Sequence, residues 1–168
     1  MDVKQAINLR KSIRSYLDKP IEPEKLDCIL DAARMAPTAS NQQSHKIITV
    51  TNPEMRQKMV AACNGQKMVG EAPVVLVVCA NNQRDMSCGQ PARVVDGCIA
   101  LSFIMLQATE LGLSTCWLGA FSEPAVRELL CVPDDYVIIA VTPLGYAAEE
   151  GRARTRNALE TFVVKESF

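Results

Sequence analysis

The sequence is poor in the groups that most enzymes use for acid–base and metal chemistry. Histidine occurs once, as His45, so a metal centre assembled from several imidazoles is excluded. The seven cysteines (Cys28, Cys63, Cys79, Cys88, Cys98, Cys116 and Cys131) never fall within three positions of one another. That removes the paired spacing of zinc and iron–sulfur sites. There is no Gly-x-Ser-x-Gly elbow, no Walker-type loop and no Gly-x-Gly-x-x-Gly after a strand, so those nucleophile and nucleotide sites lack support. An excess of basic charge is missing too. Lys and Arg number 18 against 19 Asp and Glu, a net charge of -1, which supplies no global field to attract nucleic acid. Any anion site must be local, and suits a small phosphorylated ligand better than a polymer.

Two further absences bear on location. Met1-Asp2-Val3-Lys4-Gln5 lacks the apolar core of a signal peptide. The most apolar run, Val94 to Leu106, is interrupted by Asp96 and Gly97 and is expected to fall short of a membrane span. The expectation is a cytoplasmic protein with no membrane and no nucleic-acid partner. Most cysteines sit in apolar stretches and read as reduced core thiols. Cys88, in a polar loop beside Gly89, is the one to test for reactivity. A Cys–His pair through His45 stays formally open, but nothing around any cysteine singles one out.

What is present is ordinary globular patterning, with 48% apolar and 22% charged residues. A first helix is expected to run to about Ser15, with Val3, Ala6 and Ile7 as its apolar stripe. A second opens at Ile21-Glu22-Pro23-Glu24 and stops at Pro37. Lys46 to Thr51 reads as a strand, and Asn52-Pro53-Glu54 caps a third helix ending near Asn64-Gly65. Val74 to Ala80 is a continuous apolar run, as in a strand buried on both faces. The polar loop Asn81 to Pro91 leads into a central helix from Ala92 to Leu111. A short strand at Ser114 to Gly119, a helix capped by Ser122-Glu123-Pro124, and a last core strand from Tyr136 to Thr142 follow. Leu159 to Val164 is strand-like in composition. The order fits one domain, residues 1–168, of the α+β class. The expected architecture is an α-β-α sandwich around a mixed sheet, with residues 147–168 docking on their own core or on a partner subunit.

Three stretches carry candidate chemistry. Arg10-Lys11-Ser12-Ile13-Arg14 places two guanidiniums four apart, on one face if the segment is helical. A solvated basic face and an oxyanion site both fit that stretch taken alone. Pro37-Thr38-Ala39-Ser40-Asn41-Gln42-Gln43 offers amides and hydroxyls as the chain leaves a helix. Arg154-Thr155-Arg156 points two guanidiniums the same way if extended. Together the arginine pairs could close on one phosphate of charge about -1.5 to -2. An enzyme with so few acid–base groups needs a cofactor that brings its own reactivity.

At these residues the chain resembles the FMN-dependent nitroreductases. The resemblance spans essentially the whole length. It rests on Arg-Lys-Ser-Ile-Arg-Ser-Tyr from Arg10 and Ala-Pro-Thr-Ala-Ser-Asn-Gln-Gln from Ala36. It continues in Glu-Leu-Gly-Leu-Ser-Thr-Cys-Trp-Leu-Gly-Ala-Phe from Glu110, then Leu-Gly-Tyr and Arg-Thr-Arg. It implies a nitroreductase-like fold and a domain-swapped homodimer with two FMN sites at the interface. Arg10, Lys11, Ser12 and Arg14, with Arg154 and Arg156, would hold the phosphate and ribityl chain. Pro37, Thr38, Ala39, Ser40, Asn41 and Gln43 would line the flavin from the other subunit, Asn41 at the pyrimidine edge. Leu118, Gly119 and Ala120 would lie against the isoalloxazine. The implied activity is a ping-pong NAD(P)H oxidoreductase, NADH or NADPH reducing the flavin and a nitroaromatic, quinone or similar small-molecule acceptor taking the electrons. No side chain is assigned a catalytic role. A non-catalytic flavin-binding protein on the same scaffold is the alternative.

The chain also departs from the family pattern. Ser44-His45 stand where Pro-Trp is frequent, so His45 reads as a strand-entry residue. Asn81 to Pro91 replaces the longer helical insertion that covers the substrate in larger members. Asp96 is expected to pair with an arginine or to cap the central helix, and Trp117 and Phe121 to be core or interface.

Overall fold

The seven residues of Val74–Ala80 are all buried, and the rest of the molecule is layered on the two faces of that strand. The structure, a computed structural model, describes residues 1–168. With α1 at Val3–Leu9, α2 at Pro23–Arg34 and β1 at His45–Val50, the chain continues through α3 (Pro53–Ala62) and α4 (Met68–Glu71) into β2 (Val74–Ala80). Next come α5 (Ala92–Glu110), β3 (Ser114–Thr115), α6 (Glu123–Leu130), β4 (Val137–Gly145) and α7 (Leu159–Phe162). The sheet order is β1-β2-β4-β3, every neighbouring pair antiparallel. The parallel component is confined to a single bridge, Ser12 with Thr115, at the β3 edge.

Side chains alternate across a strand, and β2 feeds two cores in turn. Val75, Val77 and Cys79 pack with Val69, Met59 and Val126 of α4, α3 and α6. Val74, Leu76 and Val78 pack with Ile29 of α2 and with Leu101 and Ile104 of α5. This is the expected α-β-α sandwich. At about 25 cal/mol per Å² of apolar surface, a fully buried Leu76 or Ile104 contributes roughly 2 kcal/mol. Trp117 and Phe121 pack against the two cores, one on each.

Local chemistry sets the helix ends. Asp2 accepts the Gln5 N–H at 2.7 Å while Gln5 Oε1 accepts the Asp2 N–H at 3.0 Å, a reciprocal cap for α1. Asn52 Oδ1 accepts the Met55 N–H at 2.9 Å, with Pro53 at the first helical position of α3. Four boundaries differ from the sequence expectation. First, α1 stops at Leu9, not Ser15, because Arg10 turns extended (φ -54°, ψ 121°) and Ile13 and Tyr16 are drawn into the core beside the sheet. Of the α1 stripe only Ala6 is buried, and Val3 and Ile7 face outward. Second, α4 was not expected; the Arg56 guanidinium ties its end down by donating to the Gly70 and Ala72 carbonyls. Third, β4 continues through Pro143 to Gly145, since pairing on the β3 flank lapses between Thr115 and Leu118, opposite that proline. Fourth, Leu159–Phe162 forms one helical turn where a strand was expected.

The central helix runs unbroken through Asp96 and Gly97 as expected, but it is long and apolar enough, with a stretch of mean hydropathy 1.3, to meet the length and composition of a membrane span, which the sequence expectation had it miss. Its position accounts for its composition instead. Ala100, Leu101, Ile104 and Ala108 are fully buried against the sheet. At Gly97 a Cβ would lie 2.7 Å from Ile139 Cγ1, so glycine lets α5 approach β4.

Candidate functional site

Beyond Arg10 the chain runs beside the sheet. Ile13 N–H donates to Thr115 O at 3.1 Å, and Ala148 N–H donates to Ser15 O at 3.0 Å. This extended path presents Arg10, Ser12 and Arg14 by two-residue alternation, in place of the helical face expected from their spacing. The segment after β4 then folds back over it. Gly151 makes the crossing possible, since its φ is +71° and a Cβ there would meet Ile13 Cδ1 at 2.7 Å. Lys11 Nζ donates to Glu150 O at 3.2 Å, and Arg14 N–H donates to Glu149 Oε1 at 2.8 Å.

The crossing closes a cleft of about 330 Å³ between the two segments. Its walls are Arg10, Lys11, Ser12 and Arg14 on one side and residues Arg152 to Arg156 on the other. Six cations line it without a carboxylate, and none of the ion pairs in the protein involves any of them. The Arg10 guanidinium is held below its ordinary pKa, first by burial and then by the charges of Arg154 and Arg156. Such mutual repulsion is relieved by a bound anion.

The arginines are not equivalent. Arg154 donates to Ile7 O at 2.8 Å, Asn8 O at 3.0 Å and Arg10 O at 3.2 Å. It closes the C-terminal end of α1, which has no basic residue in its own last turn. Arg152 belongs to the cleft although its sequence motif did not include it. Its even spacing with Arg154 and Arg156 is the signal that could have found it.

The second expected stretch lies elsewhere in the same chain. Ala39 to Asn41 forms a single 3₁₀ turn, and Ser40, Asn41 and Gln43 adopt φ of 52°, 52° and 51°. Left-handed backbone costs a non-glycine residue on the order of 1 kcal/mol, and three within four positions mark a loop held in place from outside. Ala39 N–H donates to Asp96 Oδ1 at 2.8 Å, and Gln43 N–H donates to Thr38 Oγ1 at 3.0 Å. Asp96 therefore neither pairs with an arginine nor caps α5. Ala39 and Ser40 line a separate cavity of about 270 Å³ with Asn82, Arg84 and Ser87, residues the motifs did not mark. Gln43 faces a third, beside His45 and Lys46.

The third stretch is at the sheet. Leu118 pairs with Val141 and is buried, whereas nothing lies within 4 Å of a Cβ placed on Gly119. Ala120 O accepts from Gln66 Nε2 at 2.9 Å. One chain thus assembles the arginine cleft, and does not bring Pro37 to Gln43 into it. His45 stands at the start of β1 with its Nε2 3.2 Å from Ala33 O. Cys63, Cys79 and Cys116 are buried, and burial pushes the thiols of Cys63 and Cys79 up to about 11. Cys98 is half-buried, and Cys28 and Cys131 are exposed as Cys88 is, so fewer of the cysteines are core thiols than their apolar sequence neighbours suggest.

Fold and cleft together define an α-β-α protein with a cation-lined cleft at the sheet edge, formed by two chain segments far apart in sequence. The profile of the Nitroreductase family matches residues 7–67 and 60–146. A Methanothermobacter thermautotrophicus protein, provisionally named NADH dehydrogenase/NAD(P)H nitroreductase, is 36% identical over 158 residues, covering 92% of this chain and 82% of that one. The FMN reductase [NAD(P)H] of Bacillus subtilis is 29% identical over 185 residues, covering 99% and 74%. The crystal structure of a nitroreductase family protein from Clostridium difficile 630 superposes with a TM-score of 0.90 at 31% identity over the full length of both chains. The chain belongs to the nitroreductase family.

Proposed function

We propose that this protein is an FMN-dependent NAD(P)H oxidoreductase. Electrons pass in a ping-pong cycle from NADH or NADPH to small electron-poor acceptors, nitroaromatics and quinones among them. The observation that carries this reading is the cleft of unpaired guanidiniums around Ser12. Its donor set fits the phosphate of FMN, with planar forks, a hydroxyl and no competing carboxylate in the wall. FMN, when bound, supplies the redox chemistry. Arg10, Arg14, Arg152 and Arg156 hold the phosphate, Lys11 and Ser12 complete the rim, and Arg154 fixes the end of α1 beneath it. Gly119, with open space where its side chain would be, leaves one ring face accessible to a hydride donor or acceptor, and the backbone of Leu118 and Ala120 continues that wall. The names of the relatives support the same donor and cofactor.

The working unit is a cytoplasmic homodimer of single-domain chains. The loop Pro37 to Gln43 does not reach its own chain's cleft, so the loop of a second copy, with Asn41 and Gln43, reads the ring edge. Two apolar surfaces support the pairing. A groove of about 500 Å³ is lined by Val3, Ala6, Phe103 and Leu106, and Leu159, Phe162, Val163, Val164 and Phe168 stand exposed beyond residue 157. The exposed tail docks on the partner.

The test is the visible spectrum of the purified protein, identification of any chromophore released on heating, and anaerobic addition of NADH or NADPH. A flavin spectrum, FMN in the supernatant and rapid bleaching are expected. A protein that neither carries nor takes up FMN overturns the reading. One that binds FMN but is bleached by neither nucleotide is a flavin-binding protein and no oxidoreductase.

A further inference from the structure

Asp96 is 1% exposed, sits in the second turn of α5, and reaches out of the helix to a loop 57 residues away in sequence. A buried carboxyl group without a cation partner is uncommon and is retained at a cost in desolvation. None of the ion pairs in the protein includes it. Its one hydrogen bond, from Ala39 N–H to Oδ1 at 2.8 Å, falls immediately before Ser40 and Asn41, where the backbone turns left-handed. The second side-chain clamp, Thr38 Oγ1 on the Gln43 N–H, closes the same turn from its other end. Asp96 Oδ2 is buried with no partner, so the group is placed there by the demand for one acceptor at Ala39. Gly97, the next residue, lets the helix lie close to β4 and fixes the position from which Asp96 reaches.

We propose that Asp96 is the positioning residue of the flavin-reading loop. It holds the loop Thr38 to Gln43 in shape, with Ser40, Asn41 and Gln43 left-handed, before cofactor arrives, so that Asn41 and Gln43 are presented without an ordering cost on binding. The inference rests on the reading that this loop contacts the flavin, and goes beyond it by naming the group that shapes the loop. What matters is the acceptor, not the charge. Asp96→Asn retains an oxygen for Ala39, whereas Asp96→Ala removes it.

The experiment measures two quantities on the full-length protein. One is hydrogen exchange of the Ala39 amide without cofactor, and the other is FMN affinity by quenching of flavin fluorescence. In D96A, Ala39 exchange accelerates and FMN binds about tenfold more weakly, the loss of one well-made hydrogen bond to a carboxyl oxygen. In D96N both return to within about threefold of the parent. Thr38→Val, which leaves the core intact and frees the Gln43 N–H, accelerates exchange at Gln43 and weakens FMN binding in the same direction, so that the loop's role stays testable where a D96A chain fails to fold. Unchanged Ala39 exchange in D96A overturns the inference, as does a D96N protein no better than D96A. Faster exchange with unaltered FMN affinity overturns it from the other side, by removing the loop from the flavin site.

Discussion

Arg127 and Arg10 are both well packed, and they are surrounded in opposite ways. Arg127 meets Glu123 through two nitrogens, lies 3.9 Å from Asp134, and donates to the carbonyls of Val132, Pro133 and Tyr136. Its pKa is raised, chiefly by the Glu123 hydrogen bond. Arg10 has no carboxylate, and burial and the neighbouring Arg154 and Arg156 push its pKa the other way. A guanidinium saturated by protein acceptors fastens the fold; one left among its own kind is suited to the anion proposed for the cleft. Arg154 stands between them, its donors committed to α1 while its charge bears on the cleft.

Replacing Arg10 and Arg14 together with alanine tests the Arg10 side most severely. FMN affinity should fall by at least about 100-fold, each lost charge-assisted bond contributing on the order of 1.5–3 kcal/mol. The cofactor-free Tm should hold or rise as repulsion is relieved. Retained FMN binding in a titration followed by flavin fluorescence would break the comparison. Arg154→Ala should act on both sides. We expect about tenfold weaker FMN binding and a Tm lower by about 4 °C, because two α1 carbonyls and that of Arg10 lose their donor. If only affinity moves in calorimetry and titration, Arg154 belongs wholly with Arg10. Arg127→Met should lower Tm by about 5 °C with FMN affinity within about twofold of the parent. A change in cofactor binding without loss of stability would exchange the two roles.

The smallest effect concerns a paired group outside the cleft lining. Tyr146 donates to Glu22 Oε2 at 2.6 Å and Lys25 Nζ lies 2.8 Å from the same hydroxyl, so the Glu22 carboxyl is lowered to about 2. A depressed folded-state pKa contributes stability that is complete above the unfolded value near 4.5 and is lost as pH falls toward 2. Glu22→Gln should therefore lower Tm slightly at pH 7 and flatten its decline between pH 4.5 and 2. Parallel Tm curves for the two proteins across that window would mean that the contact carries nothing.

The layers and the arginine cleft were legible in sequence for different reasons. The buried strand Val74–Ala80, the prolines opening α2 and α3 and the Ser122 cap of α6 are local signals, and the elements follow them closely. Arg10 and Arg14 were assigned to one site by a helical argument, yet meet there on an extended segment. Both periodicities bring residues four apart to the same side, so the pairing survived the wrong conformation. The end of α1 was hidden because the force that ends it is long-range: Thr115 and the segment around Ala148 hold residues 12–17 beside the sheet. Asp96 was misread for the same reason, since its partner is a backbone N–H 57 residues away that no spacing rule reveals. α4 is four residues long and anchored by Arg56 from another helix, too short to carry a pattern of its own.

The crossing at Gly151 also orders events in time. The two walls of the cleft are separated by most of the chain, with Lys11 touching a carbonyl 139 residues further on. During synthesis the first wall exists long before the second, so a growing chain can form much of its sheet while half of the cleft is still untranslated. If the cleft takes the cofactor as proposed, its capture is the closing act of folding, and a ligand that bridges both segments works as a reversible staple across a loop of that size. Without that staple the two segments are held only by their own contacts, Lys11 on the Glu150 carbonyl and Arg154 on the end of α1 among them. The cofactor-free protein should fray first at Gly151, where the second segment crosses Ile13 at the margin of the core.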